Sequence, residues 1–149
     1  KWPNDIILNN KKLAGILTEI SAEVGKVNWV AAGIGLNANN ELPAELKNDA
    51  ISLMEASGGP VNRSRLLAEI LNDFARLYGI FCSKGFGQLG DEYNRHSWLL
   101  GQEVDVETAE GCFSGCAERI DQHGYLWVRL GNGKLKKIIA GDVRGGTKK

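Results

Sequence analysis

The spacing of apolar residues changes at Gly101, and this change decides how many parts the chain can fold into. Before Gly101, apolar side chains recur at three- and four-residue steps over a long stretch, which is helical spacing. After it, short runs such as Val104–Val106 alternate with charges and are separated by glycine turns, which indicates strands. Four or five short strands within about 50 residues are typical of a small barrel. The sequence therefore predicts an α+β chain divided into residues 1–100 and 101–149.

One long helix is predicted between Asn62 and Gly85. Asn is a favoured N-cap residue, and a glycine after a basic residue marks a helix end. A second helix is predicted within residues 86–100. The apolar residues of the long helix form one wide stripe, which we expect to belong to a hydrophobic core: Leu66, Leu67, Ile70, Leu71, Phe74, Leu77, Tyr78 and Phe81.

Three strands are predicted ahead of the long helix. Asp5–Leu8 and Leu13–Ile20 flank the turn residues Asn9–Lys12, so the first two strands form a hairpin. The third, Val27–Asn37, is nearly all apolar, which is typical of a strand covered on both faces. A polar loop follows, with one small apolar insertion at Ala50–Leu53.

Two glycines on the third predicted strand point to a ligand or to close packing. Side chains alternate along a strand, so Gly33, Gly35 and Asn37 share one face. Glycine weakens a strand interior unless something approaches its backbone closely. A ligand lying over both glycines, with Asn37 at its polar end, explains the pattern, but tight packing of another element is the interpretation that these residues alone favour.

The overall composition excludes several classes of protein. The 18 Lys and Arg residues balance the 18 Asp and Glu residues. That balance argues against strong nonspecific nucleic-acid binding, which needs a basic excess. None of the apolar runs approaches the roughly 18 residues of a membrane span. Three cysteines, an odd number, favour a reducing cytoplasm over a disulfide framework.

Few residues form a pattern typical of nucleophilic or metal chemistry. Cys112 and Cys116 share a predicted strand face, but a zinc site needs two more ligands at recognisable spacing. We interpret both as small core residues. His96 and His123 have no Ser or Cys nucleophile near them in sequence. Two acidic residues are candidate metal ligands or, equally, surface residues, so we assign no metal ligand: Asp5 and Glu19.

Four motifs together resemble the biotin protein ligase family, in the right order and over essentially the whole chain. They are Lys1–Asp5, Lys12–Glu19, Gly33–Asn37 and Gly141–Val143. The resemblance implies the C-terminal part of a mixed-sheet catalytic domain, of the type shared with class II aminoacyl-tRNA synthetases. An SH3-like barrel is implied for residues 101–149. The first two motifs are highly specific, whereas the third alone is weak.

The resemblance also implies a reaction, its partners and its site residues. Biotin is activated with ATP and Mg²⁺ to biotinyl-5′-adenylate and is passed to a lysine of a biotin carboxyl carrier protein. The resemblance implies that Lys1 contacts the biotin carboxylate and the adenylate phosphate, and that Asn37 lies near the nucleotide phosphates and the metal. Other implied site residues are the cleft-lining Gly15, Gly33 and Gly35, and a segment that folds over the adenylate, Ala50, Ile51, Ser52 and Leu53.

Two departures from the family pattern shape what we expect of the chain. The Gly-Arg-Gly-Arg loop that wraps the ligand, and the strand that grips the biotin ring, belong upstream of Lys1. At the other end, Gly141–Gly146 carries its arginine out of place, which puts a nucleotide contact from the tail in doubt. We therefore expect a C-terminal fragment that is inactive alone.

Two other functions and one assembly are compatible with these motifs. A non-catalytic module for dimerisation or acceptor docking, and a lipoate ligase-like enzyme, are the alternatives to biotin ligation. A homodimer joined through the sheet edge at Leu13–Ile20 is a further expectation from the family.

Overall fold

The computed structural model describes residues 1–145. It divides into two compact units, Asn4–Leu66 and a second unit made of Lys1–Pro3 with the chain from Leu67 onward. The elements in chain order are strands β1 Asp5–Leu8, β2 Lys11–Glu23 and β3 Lys26–Leu36, a 3-10 turn Ala44–Leu46, helices α1 Leu53–Ser57, α2 Arg63–Lys84 and α3 Gly87–His96, then strands β4 Glu103–Thr108, β5 Gly111–Ile120, β6 Leu126–Leu130, β7 Leu135–Ile138 and β8 Asp142–Gly145. The predicted α+β class is confirmed. The predicted division after residue 100 stays a prediction.

The first unit contains a three-stranded antiparallel sheet in the order β1-β2-β3. Asn9 and Asn10 form the first turn with φ values of 51° and 61°, a left-handed conformation that Asn tolerates. The predicted hairpin and third strand are therefore confirmed, and β2 extends to Glu23. Within the described residues, parallel pairing is limited to one isolated bridge between Lys12 and Ala50.

The third strand is not covered in the way its composition predicted. Every residue of β3 from Lys26 to Gly35 is exposed, including Trp29 and Ile34 at 53% each. The prediction of cover on both faces is wrong for the described chain. Apolar composition shows that a face is suited to burial, but it does not show which segment buries it.

Helix α2 has the predicted ends but not the predicted environment. The Arg65 backbone amide donates to Asn62 Oδ1 at 3.0 Å, so Asn62 is the N-cap as expected. Gly85, at φ +73°, follows the last turn. The expectation that the stripe forms core is wrong for the described chain, because none of its eight members is buried. Leu66, Ile70 and Leu77 are half-buried. The other five are 46–56% exposed: Leu67, Leu71, Phe74, Tyr78 and Phe81.

The second unit contains a five-stranded antiparallel sheet in the order β7-β6-β5-β4-β8. Its alternating apolar residues face inward, as Val104 and Val106 on β4 show with 2% and 1% exposure. The short strands and glycine turns predicted a small barrel, and the resemblance implied an SH3-like one; the five-stranded sheet agrees with both. Strand β8 was not predicted. The core consists of Trp2, Leu99, Val104, Val106, Ala117, Ile120, Leu126, Val128, Ile138 and Val143.

The cysteines in this unit differ from their interpretation. Cys112 is exposed rather than core and Cys116 is half-buried. All three cysteines of the chain are free thiols.

Among residues 1–145, none of the helices combines the length and apolarity that crossing a bilayer requires.

Candidate functional site

The floor of the candidate site is the paired stretch of β2 and β3 that carries the glycines. Gly15 lies opposite Gly35, and Leu17 lies opposite Gly33, in an antiparallel register. Residues two apart on a strand point to the same face. The bare positions of both strands therefore form one continuous surface of backbone.

This surface is open at two of its glycines. A Cβ built on Gly33 comes within 4 Å of only the Leu17 carbonyl oxygen, at 3.9 Å. A Cβ built on Gly35 likewise meets only the Gly15 carbonyl oxygen, at 3.9 Å. Neither glycine is needed to admit another element of the described chain. Close packing, the alternative explanation for these glycines, therefore has no support within residues 1–145.

A cation lies beside the floor, and sequence reasoning did not select it. Lys12 Nζ forms an ion pair with the Asp5 carboxylate at 2.7 Å. A Cβ on Gly15 would approach Lys12 Nζ and Cε at 3.3 Å, so a side chain there would force the lysine to shift. The Lys12 side chain remains 50% exposed. The ammonium is thus held in place but remains accessible.

The floor and the cation belong to one open cleft of about 550 Å³. Asn4 also lines this cleft, and its Nδ2 donates to the Ile16 carbonyl oxygen at 3.0 Å. Sequence reasoning missed Asn4 and Lys12 as site residues although both lie inside the quoted motifs. Sequence spacing did not place Lys12 beside Asp5, because the β1–β2 register shifts between Ile6 and Ile7.

Asn37 lies at the far end of the same face. Its backbone amide donates to the Leu13 carbonyl oxygen at 3.0 Å, and its Oδ1 accepts from Asn40 Nδ2 at 3.2 Å. A second recess of about 330 Å³ is lined by Asn37 and Ala50, and it shares Lys12, Gly15 and Gly35 with the larger cleft. The structure therefore brings together the glycines, Asn37 and Ala50.

The segment Ala50–Leu53 is fixed to the ends of both strands. The Ile51 amide donates to the Lys12 carbonyl oxygen at 3.0 Å, and the Leu53 amide donates to the Asn37 carbonyl oxygen at 2.9 Å. Ile51 and Ser52 are buried, and Ser52 Oγ caps α1 by accepting from the Glu55 amide at 3.2 Å. These bonds hold the segment beside Lys12 and Asn37. A role over a bound nucleotide stays a prediction.

Lys1 belongs to the other compact unit, where it is half-buried and precedes the buried Trp2. Its proposed role therefore stays a prediction. The two candidate metal ligands are no stronger in the structure: Asp5 is paired with Lys12, and Glu19 is exposed. Within the part of the chain that is described, no three His, Cys, Asp or Glu residues form a cluster able to hold a metal ion.

The altered end of the last motif contributes an ion pair at the surface. Arg144 on β8 lies 3.7 Å from Glu107, and both side chains are mostly exposed. Gly146, the last residue of that motif, lies outside the described residues.

Two family models match the chain at its two ends. The description "Biotin/lipoate A/B protein ligase family" matches residues 1–37, which include the first three motifs. The description "Biotin protein ligase C terminal domain" matches residues 99–144, which include the five-stranded sheet except for its last residue, Gly145.

Two relatives match nearly the whole chain. The bifunctional ligase/repressor BirA of Bacillus subtilis is 38% identical over 146 residues, which is 96% of this chain and 45% of the relative. The biotin--[acetyl-CoA-carboxylase] ligase of Mycobacterium tuberculosis is 34% identical over 145 residues, which is 96% of this chain and 51% of the relative. The chain thus spans about half the length of these relatives.

A solved structure shares the fold. The biotin protein ligase from Aquifex aeolicus in complex with biotin and ATP superimposes with a TM-score of 0.84 at 28% identity, covering 97% of this chain and 61% of that one.

Proposed function

The chain belongs to the biotin protein ligase family, and we propose that it supplies the C-terminal part of an enzyme that biotinylates a protein. The substrates of the complete enzyme are biotin, ATP and a lysine of a biotin carboxyl carrier protein. Two observations support this assignment: the Mycobacterium tuberculosis relative is a biotin--[acetyl-CoA-carboxylase] ligase, and the Aquifex aeolicus structure contains biotin and ATP.

The reaction has two displacement steps. A biotin carboxylate oxygen attacks the α-phosphorus of ATP, the bond to pyrophosphate breaks, and biotinyl-5′-adenylate forms. The ε-amino group of the acceptor lysine then attacks the biotinyl carbonyl carbon, and AMP leaves with the bonding electron pair. The mixed anhydride is itself the activated species, so the chemistry requires no covalent enzyme nucleophile.

The open glycine floor is the observation that carries the proposal. Gly33 and Gly35 leave their face without a side chain, and no described side chain comes within 4 Å of the positions where their Cβ atoms would be. A flat ligand can therefore lie directly against the backbone of β3. We assign Asn37 and Lys12, which line the recess beside these glycines, to polar and anionic groups at the ends of such a ligand.

Cations supply the electrostatic contribution. A carboxylate attacking a phosphate brings two anions together, and a fixed ammonium reduces that repulsion and stabilises the transition state. We assign this role to Lys1, on the strength of its motif. Lys12 is a second ammonium for the phosphates. Removing one such group typically costs about 3 kcal/mol of barrier.

Mg²⁺ fits the described residues only in part. This ion usually binds through substrate phosphates and one or two protein oxygens rather than a protein cage. The described residues contain no cluster of three ligands, so we assign Mg²⁺ to the ATP phosphates and derive no step through it.

The remaining assignments are proposals about the complete protein. We place it in the cytoplasm, which the three free thiols support. We also propose that this part of the chain does not bind nucleic acid, because its positive and negative charges balance.

A dimer through the sheet needs an unpaired strand edge. Leu13–Gly15 lies between β1 and β3, so the later residues of β2, or β3, are the better candidates.

Pyrophosphate release tests the function. In the full-length protein, biotin and ATP together should release pyrophosphate, and Lys1→Ala should abolish this release or slow it about a hundredfold. Lys134→Ala, at an exposed lysine of the C-terminal sheet, is the matched control and should keep the normal rate. Normal release by Lys1→Ala would refute the role of Lys1.

The same assay separates the alternatives. A non-catalytic docking module releases no pyrophosphate with any acid. A lipoate ligase-like enzyme responds to lipoate rather than biotin, but the match of residues 99–144 to a biotin ligase C-terminal domain favours biotin.

A further inference from the structure

We propose that Trp2 is a positioning residue for Lys1. Its side chain is anchored in the core of the five-stranded sheet, and this anchor fixes the backbone that carries the lysine. The proposal rests on the role of Lys1 in the proposed function.

The burial of Trp2 contrasts with that of its neighbours. Trp2 is 5% exposed, whereas Lys1 is half-buried and Pro3 is exposed. The indole belongs to the same buried cluster as Leu99, Leu126 and other core residues of the sheet. Tryptophan removes a large apolar area from water when it is buried. One side chain thus ties the first residues of the chain to a sheet that lies about a hundred residues later in sequence.

A hydrogen bond fixes the orientation of the indole as well as its burial. Trp2 Nε1 donates to the Gly124 carbonyl oxygen at 2.9 Å. A buried indole N–H needs an acceptor, because leaving it unpaired costs the desolvation of that group. The ring therefore cannot rotate freely within the core, and its Cα is held with it.

The acceptor is held rigidly by its own turn. Gly124 has φ +82°, a left-handed conformation that glycine adopts without strain, and its amide donates to the Asp121 carbonyl oxygen at 2.9 Å. The Asp121 carboxylate fastens the turn by accepting three hydrogen bonds, from the His123 amide, the Tyr125 amide and Trp127 Nε1.

Anchoring at Trp2 restricts Lys1 because consecutive Cα atoms are about 3.8 Å apart. The lysine side chain is long and flexible, so an ammonium on a mobile backbone would sample many positions. Catalysis is sensitive to such freedom, since a misplacement of about 1 Å can slow a reaction about a hundredfold. A purely structural tryptophan would affect stability and leave the rate per folded molecule unchanged.

The test is a double-mutant cycle in the full-length protein. Trp2→Phe keeps an aromatic ring in the core but removes the bond to Gly124 together with part of the indole volume, and the Val143→Ala control below measures the effect of lost core volume alone. We expect single-turnover adenylate formation per active site to fall about tenfold, with the KM for biotin changed by less than about twofold. In the Lys1→Ala background, Trp2→Phe should cause no further fall, because positioning an absent ammonium has no effect.

Val143→Ala is the matched stability control. It removes core volume on β8 and leaves the Trp2–Gly124 bond in place, so it should lower the Tm without changing the rate per active site. If Trp2→Phe fails to fold, Asp121→Asn replaces it, because it loosens the turn that holds Gly124 without opening the core. It should then slow adenylation only where Lys1 is present.

The outcomes separate this proposal from the one it rests on. If Lys1→Ala keeps the normal rate, the proposed role of Lys1 fails. If Lys1→Ala is slow but Trp2→Phe reduces the rate by the same factor with and without Lys1, or not at all, the positioning role of Trp2 alone is overturned.

Discussion

At the scale of single residues, the site depends on charges placed beside bare backbone. Lys12 is held by Asp5 and kept clear by Gly15, which has no side chain to displace it. The sequence spacing of Lys12, Asp5 and Gly15 does not by itself mark any of them as a site residue. The alternation of Gly33, Gly35 and Asn37 did identify the floor in advance, because strand periodicity depends only on sequence. Lys12 escaped prediction because a register irregularity in the hairpin sets its position.

Replacing Lys12 tests its part in the site. Lys12→Gln in the full-length protein should lower kcat/KM for ATP by about tenfold to a hundredfold, because an anionic transition state loses one ammonium. Stability should fall by less than about 1 kcal/mol, because the lysine is half exposed and solvent weakens its ion pair. Steady-state pyrophosphate release and thermal denaturation measure the two effects. An unchanged kcat/KM would remove Lys12 from the site.

The ionisation of Asp121 should make the free energy of unfolding depend on pH in the acid range. Burial opposes ionisation of this carboxyl, but hydrogen bonds from Trp127, His123 and Tyr125, with the nearby His123, outweigh it and lower its pKa. A lowered folded-state pKa adds stability that is complete above the unfolded value, about 3.9, and is lost as the pH falls below it through the folded pKa.

Asp121→Asn should lack that component. Urea denaturation of the wild type and the variant should give a stability difference that is constant near neutral pH and shrinks below about pH 4. A difference that stays constant down to the lowest pH measured would contradict the assigned pKa direction.

At the scale of elements, local signals predicted boundaries well and burial poorly. The Asn62 cap and Gly85 fixed the ends of α2 because capping is a matter of neighbouring residues. Strand β8 was missed because Asp142–Gly145 is short and pairs with β4 only through long-range contact. The stripe on α2 had the right spacing, but spacing does not specify a partner, and the stripe is exposed.

The exposed stripe predicts behaviour in solution. A chain of residues 1–149 should bind the dye ANS and self-associate, because contiguous exposed apolar surface drives both. Replacing Leu71 and Phe74 together by lysine should reduce dye fluorescence and shift the sedimentation coefficient toward the monomer. The matched control replaces the exposed polar residues Glu69 and Asp73 by lysine and should change neither as strongly. A monomeric chain that does not bind ANS would contradict the prediction.

At the scale of the whole molecule, the described chain contains the glycine floor of the candidate site, the two lysines that we assign to catalysis (Lys1 and Lys12) and a folded C-terminal sheet. It spans about half the length of its relatives. We therefore assign tight binding and turnover to the full-length protein. The central claim is that biotinyl-adenylate lies directly on the backbone at Gly33 and Gly35.

The most direct test is the Kd of the full-length protein for biotinyl-adenylate after Gly35→Val. A Cβ built on Gly35 meets only one backbone oxygen, at 3.9 Å, in the described chain, and valine suits a strand, so the Tm should change little. Gly131→Ala, in an exposed turn with open space around it, is the control. We predict that Gly35→Val weakens binding at least about tenfold, or about 1.4 kcal/mol, while the control does not. An unchanged Kd in a folded Gly35→Val protein would contradict the claim.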